Sequence, residues 1–195
     1  MTDPPVSSIR DVEALRHACR RGLSVEFLFF WGHQPLPDGS VGTSCLSQWW
    51  PSEFTVEGVT YPSAEHFMMA EKARLFGDDE SRARILSASH PRSAKRIGRG
   101  VRNFDDSIWC EHRFEIAVRG NVAKFSRNDG LREFLASTEN RVIVEASPVD
   151  RIWGIGLAAD APDVEDPEKW RGLNLLGFAL MEVRDRLRPG GRALL

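Results

Sequence analysis

The stretch from Tyr61 to Phe76 constrains this chain most, because it combines a marked helix start with charged residues on a face that should be apolar. Pro62 disfavours the helical basin for Tyr61, and Ser63 suits a cap on the first N–H groups of a helix opening at Ala64. Stepping by three or four from Glu65 reaches Met69, Lys72 and Phe76, while Ala64, Phe67, Met68 and Leu75 fall on an adjoining apolar stripe. Glu65 and Lys72 therefore flank the core. Taken alone, Glu65 complements the helix dipole and Lys72 snorkels past Phe76 into water; a catalytic role is the sharper alternative.

Around this helix the chain alternates short elements. Residues 1–7 read as a frayed tail, and Ser8 as the cap of a short amphipathic helix with Ile9, Val12, Leu15 and Ala18, stopped at Gly22. Val25 to Trp31 is an aromatic, apolar run suited to a buried strand. Phe54-Thr-Val and Val59-Thr-Tyr flank Glu57-Gly58, the signature of a hairpin. Asp105 or Asp106 caps a long helix reaching about Phe125, Val142 to Ala146 reads as a strand, and Asn174 caps a last helix carrying Leu176, Ala179, Leu180, Val183 and Leu187. These elements predict one helix-rich α+β domain over residues 25–188, with a small, mainly antiparallel sheet. An extension at 1–24 precedes it and a tail at 189–195 follows.

Composition narrows the function classes. With 195 residues, 42% hydrophobic and 28% charged, the chain is long enough for a sizeable core and is not a disordered polymer. A net charge of −2 argues against an extended footprint for duplex DNA. Yet residues 82–103 contain Arg82, Arg84, Arg92, Lys95, Arg96, Arg99 and Arg102 with no acid, either a solvated face or a phosphate site. Cys19, Cys45 and Cys110 form no paired spacing, and no apolar run approaches a membrane span, so a cytoplasmic protein is expected. The five histidines show no ligand spacing, and neither metal nor cofactor is expected.

Several blocks in order are similar to the NADAR family of YbiA-like N-glycosidases: Phe30-Trp31, Leu46 to Pro51, Tyr61 to Ala73, Phe76-Gly-Asp78 and Lys95 to Arg99. Further on come Trp109, Lys124-Phe125, Val144 to Ser147, Asp150 to Gly156 and Trp170 to Gly177. The resemblance runs from about Phe27 to Leu187; Trp49-Trp50 stand where many relatives have Phe-Tyr.

This resemblance implies cleavage of an N-glycosidic bond at ribose C1. The substrate is either a phosphoribosylated pyrimidine intermediate of riboflavin synthesis or ADP-ribose carried on guanine in nucleic acid, including ADP-ribosylated DNA. Positive charge develops on the sugar as the bond breaks, so a carboxylate beside it stabilises the transition state. Glu65 is the first candidate and Asp150 the second. Lys72 suits either imine formation with the ribose or binding of a phosphate or hydroxyl. By resemblance Trp109 and Trp153 line the pocket and stack on the base, Lys95, Arg99 and Lys124 are candidates for phosphate, and Asn174 caps its helix or touches ribose. A non-catalytic sensor of ADP-ribose or nucleotide is the alternative from another class.

Overall fold

The computed structural model describes residues 6–188 and 190; the first part of the expected frayed tail, 1–5, and the C-terminal tail other than Gly190 lie outside the described residues. The chain forms two compact units, one made of Gln48–Asp129 and one assembled from the segments on either side of it.

In the Gln48–Asp129 unit a hairpin comes first, with strands β2 (Phe54–Val56) and β3 (Val59–Tyr61). They pair antiparallel with Phe54 opposite Tyr61. Glu57 and Gly58 both have left-handed φ values, 50° and 77°, as the expected two-residue turn requires. The hairpin feeds α2 (Ala64–Leu75), whose Ser63 cap accepts from the N–H of His66. Every residue from Ala64 to Glu71 is buried, as is Ala73, so α2 is enclosed rather than half-exposed. Around it pack α3 (Asp79–Leu86), α4 (Pro91–Arg99) and α5 (Asp106–Ser126). Close approach depends on two glycines: a Cβ at Gly98 would lie 2.2 Å from Met69 Sδ, and one at Gly120 would lie 2.5 Å from a Phe67 ring carbon. Asp78 caps α3 and also binds the Arg102 guanidinium at 2.7 Å and its N–H at 2.9 Å. The Arg102 side chain is the main reason its carboxyl is held well below the usual range. Part of the basic segment is thus internally neutralised.

In the second unit, α1 (Val12–Arg20) is capped by Asp11, which accepts from Ala14 N–H at 2.8 Å. Ser8 instead ends a short 3-10 turn, which corrects the expected cap. Strand β1 (Phe27–Phe30) pairs in parallel with β4 (Val142–Glu145), Phe27 opposite Val142. The helix-rich α+β class holds, but the strands form two separate two-stranded ladders, one parallel and one antiparallel, rather than one mainly antiparallel sheet. The reason is burial: Val142, Ile143 and Val144 are all fully buried, and α7 (Leu175–Leu187) packs on β4, the covered environment that parallel strands need. Helix α6 (Asp129–Ser137) precedes β4. The N-terminal extension is tied in, since Arg10 pairs with Glu182 and Asp185 at 2.7 Å each. Arg16 likewise donates to the Pro167 and Trp170 carbonyls at 2.9 Å. Arg184 is buried in α7, donates to Thr138 Oγ1 and the Arg141 carbonyl, and burial pushes its pKa down to about 10. Among the described residues no helix is long and apolar enough to cross a membrane.

Candidate functional site

Glu65, Lys72, Lys95, Arg99, Trp109 and Lys124 belong to the Gln48–Asp129 unit, and Asp150, Trp153 and Asn174 to the other. Glu65 lies in the first turn of α2, only 2% exposed. The first N–H groups of a helix have no partner within it. That of Glu65 donates to the Gln48 carbonyl at 2.9 Å, which anchors this turn from outside the helix. Its neighbour His66 is fully buried. His66 Nε2 faces the Ala88 carbonyl at 3.0 Å, so it carries the proton, and Nδ1 accepts from the Ser63 hydroxyl at 2.8 Å. Burial pushes the His66 pKa down, and this imidazole links α2 to the turn after α3.

Lys72 is two turns further along the same helix. Its amine donates to the Gly98 carbonyl at 3.0 Å and lies 4.0 Å from the centre of the Phe104 ring and 5.5 Å from that of Trp109. Burial pushes its pKa down and Asp106 opposes the shift; the ring faces also favour the ammonium. The lysine expected beside Phe76 is therefore enclosed by three groups, and the structure brings it together with Trp109. Sequence spacing does not single out Phe104. It is 44% exposed, packs edge-on against Phe76 with ring centres 5.3 Å apart, and stands over the amine. An aromatic residue one place before a helix cap gives no periodic signal, which is why spacing passes over it.

The cationic candidates differ. Lys95 and Arg99 lie one turn apart on α4, partly buried and exposed respectively. Lys124 is fully buried in α5, its amine 4.9 Å from the Phe125 ring centre.

In the other unit, Asp150 is held by its own loop. Its Oδ1 accepts from the N–H groups of Ile152 at 3.0 Å and Trp153 at 2.8 Å, while its N–H donates to Ser147 Oγ at 3.1 Å. Trp153 is half-buried. Asn174 takes the position before α7 with φ 52°, but its side chain makes no cap, against expectation. Its amide bridges β4 instead, donating to Ile143 O at 2.9 Å and accepting from Glu145 N–H at 3.0 Å. A left-handed asparagine beside a strand makes better use of its side chain there than on its own helix.

Two further residues surround the first turn of α2. Asn121 of α5 is fully buried and donates to Gln48 Oε1 at 2.9 Å and to Ala117 O at 2.8 Å. The signal for it was present: an amide interrupts an otherwise apolar stripe of Val118, Val122 and Phe125. Among the described residues, no group of three or more His, Cys, Asp or Glu side chains is placed to hold a metal ion.

The chain is similar to known proteins in sequence and in fold. Residues 29–188 match the NADAR domain. The chain is 45% identical over 166 residues to an N-glycosidase of Acanthamoeba polyphaga mimivirus, an alignment covering 82% of this chain and 95% of that protein. It is 31% identical over 138 residues to the Escherichia coli N-glycosidase YbiA, covering 71% and 76%. The NMR structure of YbiA shares the fold, with a TM-score of 0.66 over 96% of this chain and 93% of that one at 24% identity. A chloroplastic riboflavin biosynthesis protein of Zea mays is 34% identical over 137 residues, which span 66% of this chain but 20% of that longer protein. With the NADAR domain matched over residues 29–188 of the chain and a relative at 45% identity over 95% of its own length, the chain belongs to the NADAR family.

Proposed function

We propose that this chain is an N-glycosidase that hydrolyses the C1–N bond of a ribose-phosphate N-glycoside. The observation that carries the reading is the composition of α2, which holds a buried carboxylate, Glu65, and, two turns on, an amine enclosed by Phe104, Trp109 and a carbonyl. Heterolysis of the bond leaves an oxocarbenium-like sugar, which a carboxylate in a low-dielectric setting stabilises. Glu65 takes that role. Asp150, fixed by two backbone N–H groups, is the second carboxylate and exchanges the proton with the departing base or the incoming water. Trp109 and Trp153 stack on the base, Lys95 and Arg99 meet phosphate, Lys124, fully buried in α5, supplies positive charge to the phosphate without touching it, and Asn174 serves the site by bracing β4.

Lys72 has a covalent role in this scheme. Its neutral amine attacks C1 as the base leaves with a proton from a carboxylic acid, the ribosyl amine opens to an imine, and water releases the sugar and restores the amine. The downward push of burial on its pKa supports this role. The substrate is a ribosylaminopyrimidine phosphate of the riboflavin pathway or ADP-ribosyl-guanine; the similarity to the maize riboflavin protein supports the first, and the basic face of α4 suits either. The functional domain spans residues 25–188.

Incubating the folded protein with ribosylaminopyrimidine phosphate and with an ADP-ribosyl-guanine oligonucleotide, and following free base and sugar, tests the reading. Release from either substrate supports it; turnover of neither overturns it. Tight ADP-ribose binding without turnover would identify a sensor instead. Borohydride added during turnover should trap an adduct on Lys72, and catalysis without any adduct would replace the imine with direct attack by water.

A further inference from the structure

We propose that Gln48 and Asn121 form a positioning pair that fixes Glu65 for the reaction, an inference that rests on the N-glycosidase reading. The geometry is a relay through one residue. Asn121, fully buried in the middle of α5, donates to the side-chain oxygen of Gln48 at 2.9 Å. The main-chain carbonyl of Gln48 then accepts the N–H of Glu65 at 2.9 Å. Gln48 is itself only 6% exposed, with Nε2 lying 3.9 Å from the sulfur of Met68 on α2. A segment without regular structure is thereby pinned to both helices at the turn that carries the carboxylate.

The pair is costly as packing alone. Asn121 Nδ2 is committed to Gln48 and to Ala117 O, which fixes the amide orientation. Its Oδ1 is buried with no hydrogen-bond partner among the described residues. An isolated buried acceptor loses its hydration without return, so two apolar residues of the same shape would fill this space at least as well. What apolar residues cannot do is specify where residue 48 stops. Its carbonyl must meet a single N–H in the first turn of α2, and a carboxylate acting on a developing charge tolerates little displacement. The tight crossing of α5 over α2 at Gly120 and Phe67, one residue before Asn121, keeps the donor in register.

The test uses Gln48→Met, which keeps the shape of the side chain and removes its amide, and the exchanged pair Gln48→Asn with Asn121→Gln, which rebuilds the contact. Kinetics are measured on whichever of the two N-glycosides the unaltered protein turns over, with amide hydrogen exchange along α2 measured in parallel. The expected result for Gln48→Met is a fall in kcat of about tenfold or more with little change in KM. Exchange should accelerate at Glu65 while the rest of α2 stays protected, and the exchanged pair should recover most of the loss. Unchanged kcat overturns the proposal, and so does acceleration spread evenly along α2, which would mark a purely structural contact. If the unaltered protein turns over neither substrate, the N-glycosidase reading fails by itself. The exchange measurement still decides the relay, because unchanged protection of the Glu65 amide in Gln48→Met would show that the pair does not position it.

Discussion

The two units hold their candidate residues by different means. In Gln48–Asp129 they ride on helices, and side chains set the distances: Met69 against Gly98 and Phe67 against Gly120. In the other unit Asp150 and Trp153 sit in an irregular loop whose Arg151, Ile152 and Trp153 carbonyls accept from the N–H groups of Leu173, Leu175 and Leu176, with β4 clamped by the Asn174 amide. Side chains re-pack when crowded, whereas a main-chain carbonyl has nowhere to go. The helical unit should therefore absorb small changes that the loop unit does not.

Asp150→Asn is the sharpest probe of the loop unit. Asparagine keeps an oxygen for the Ile152 and Trp153 N–H groups, so the turn survives while the charge is lost. Turnover should fall by about 10²–10⁴-fold with the melting temperature nearly unchanged. A large loss of stability would make Asp150 a structural residue. Next comes Gly177→Ala, whose Cβ would lie 2.0 Å from the Ile143 carbonyl oxygen. Chemical denaturation should show a loss of about 3 kcal/mol or more. Gly98→Ala makes a contact almost as short, but with the mobile end of Met69. Since alanine also favours the helix, the net change should stay within about 1 kcal/mol. Equal losses at the two glycines would show that the two units are equally intolerant of crowding.

The smallest effect concerns pH. His66 has its pKa lowered in the folded protein, so below about 6.5 the unfolded chain takes up a proton that the folded one resists. Its contribution to stability is complete above that pH and declines as pH falls toward the folded value. The melting temperature should drop between about pH 7 and 5, and His66→Gln should flatten that part of the slope. An unchanged slope in the variant would place the acid sensitivity elsewhere.

Legibility followed the range of the interactions. The Glu57-Gly58 hairpin, the Ser63 cap and a cap at Asp105 or Asp106, which the structure places at Asp105, are readable because each is settled within a few residues. The pairing of β1 with β4 was not, because its strands lie more than a hundred residues apart and no local turn announces a parallel partner. Periodicity marks Glu65 and Lys72 but places them at the edge of the core, whereas α2 is surrounded by α3, α4 and α5. Asn174 was placed correctly at the start of α7, while its side-chain partners on β4 are distant in sequence. Phe104 gains its place from Lys72, a contact that no spacing encodes.

In the proposed reaction the carboxylate in the first turn of α2 carries the bond cleavage. Glu65→Gln tests it most directly, with turnover, ADP-ribose binding by calorimetry and melting temperature measured on the same preparation. Turnover should fall by about 10²-fold or more while binding persists and the melting temperature moves little. Turnover at the unaltered rate from Glu65→Gln would contradict it.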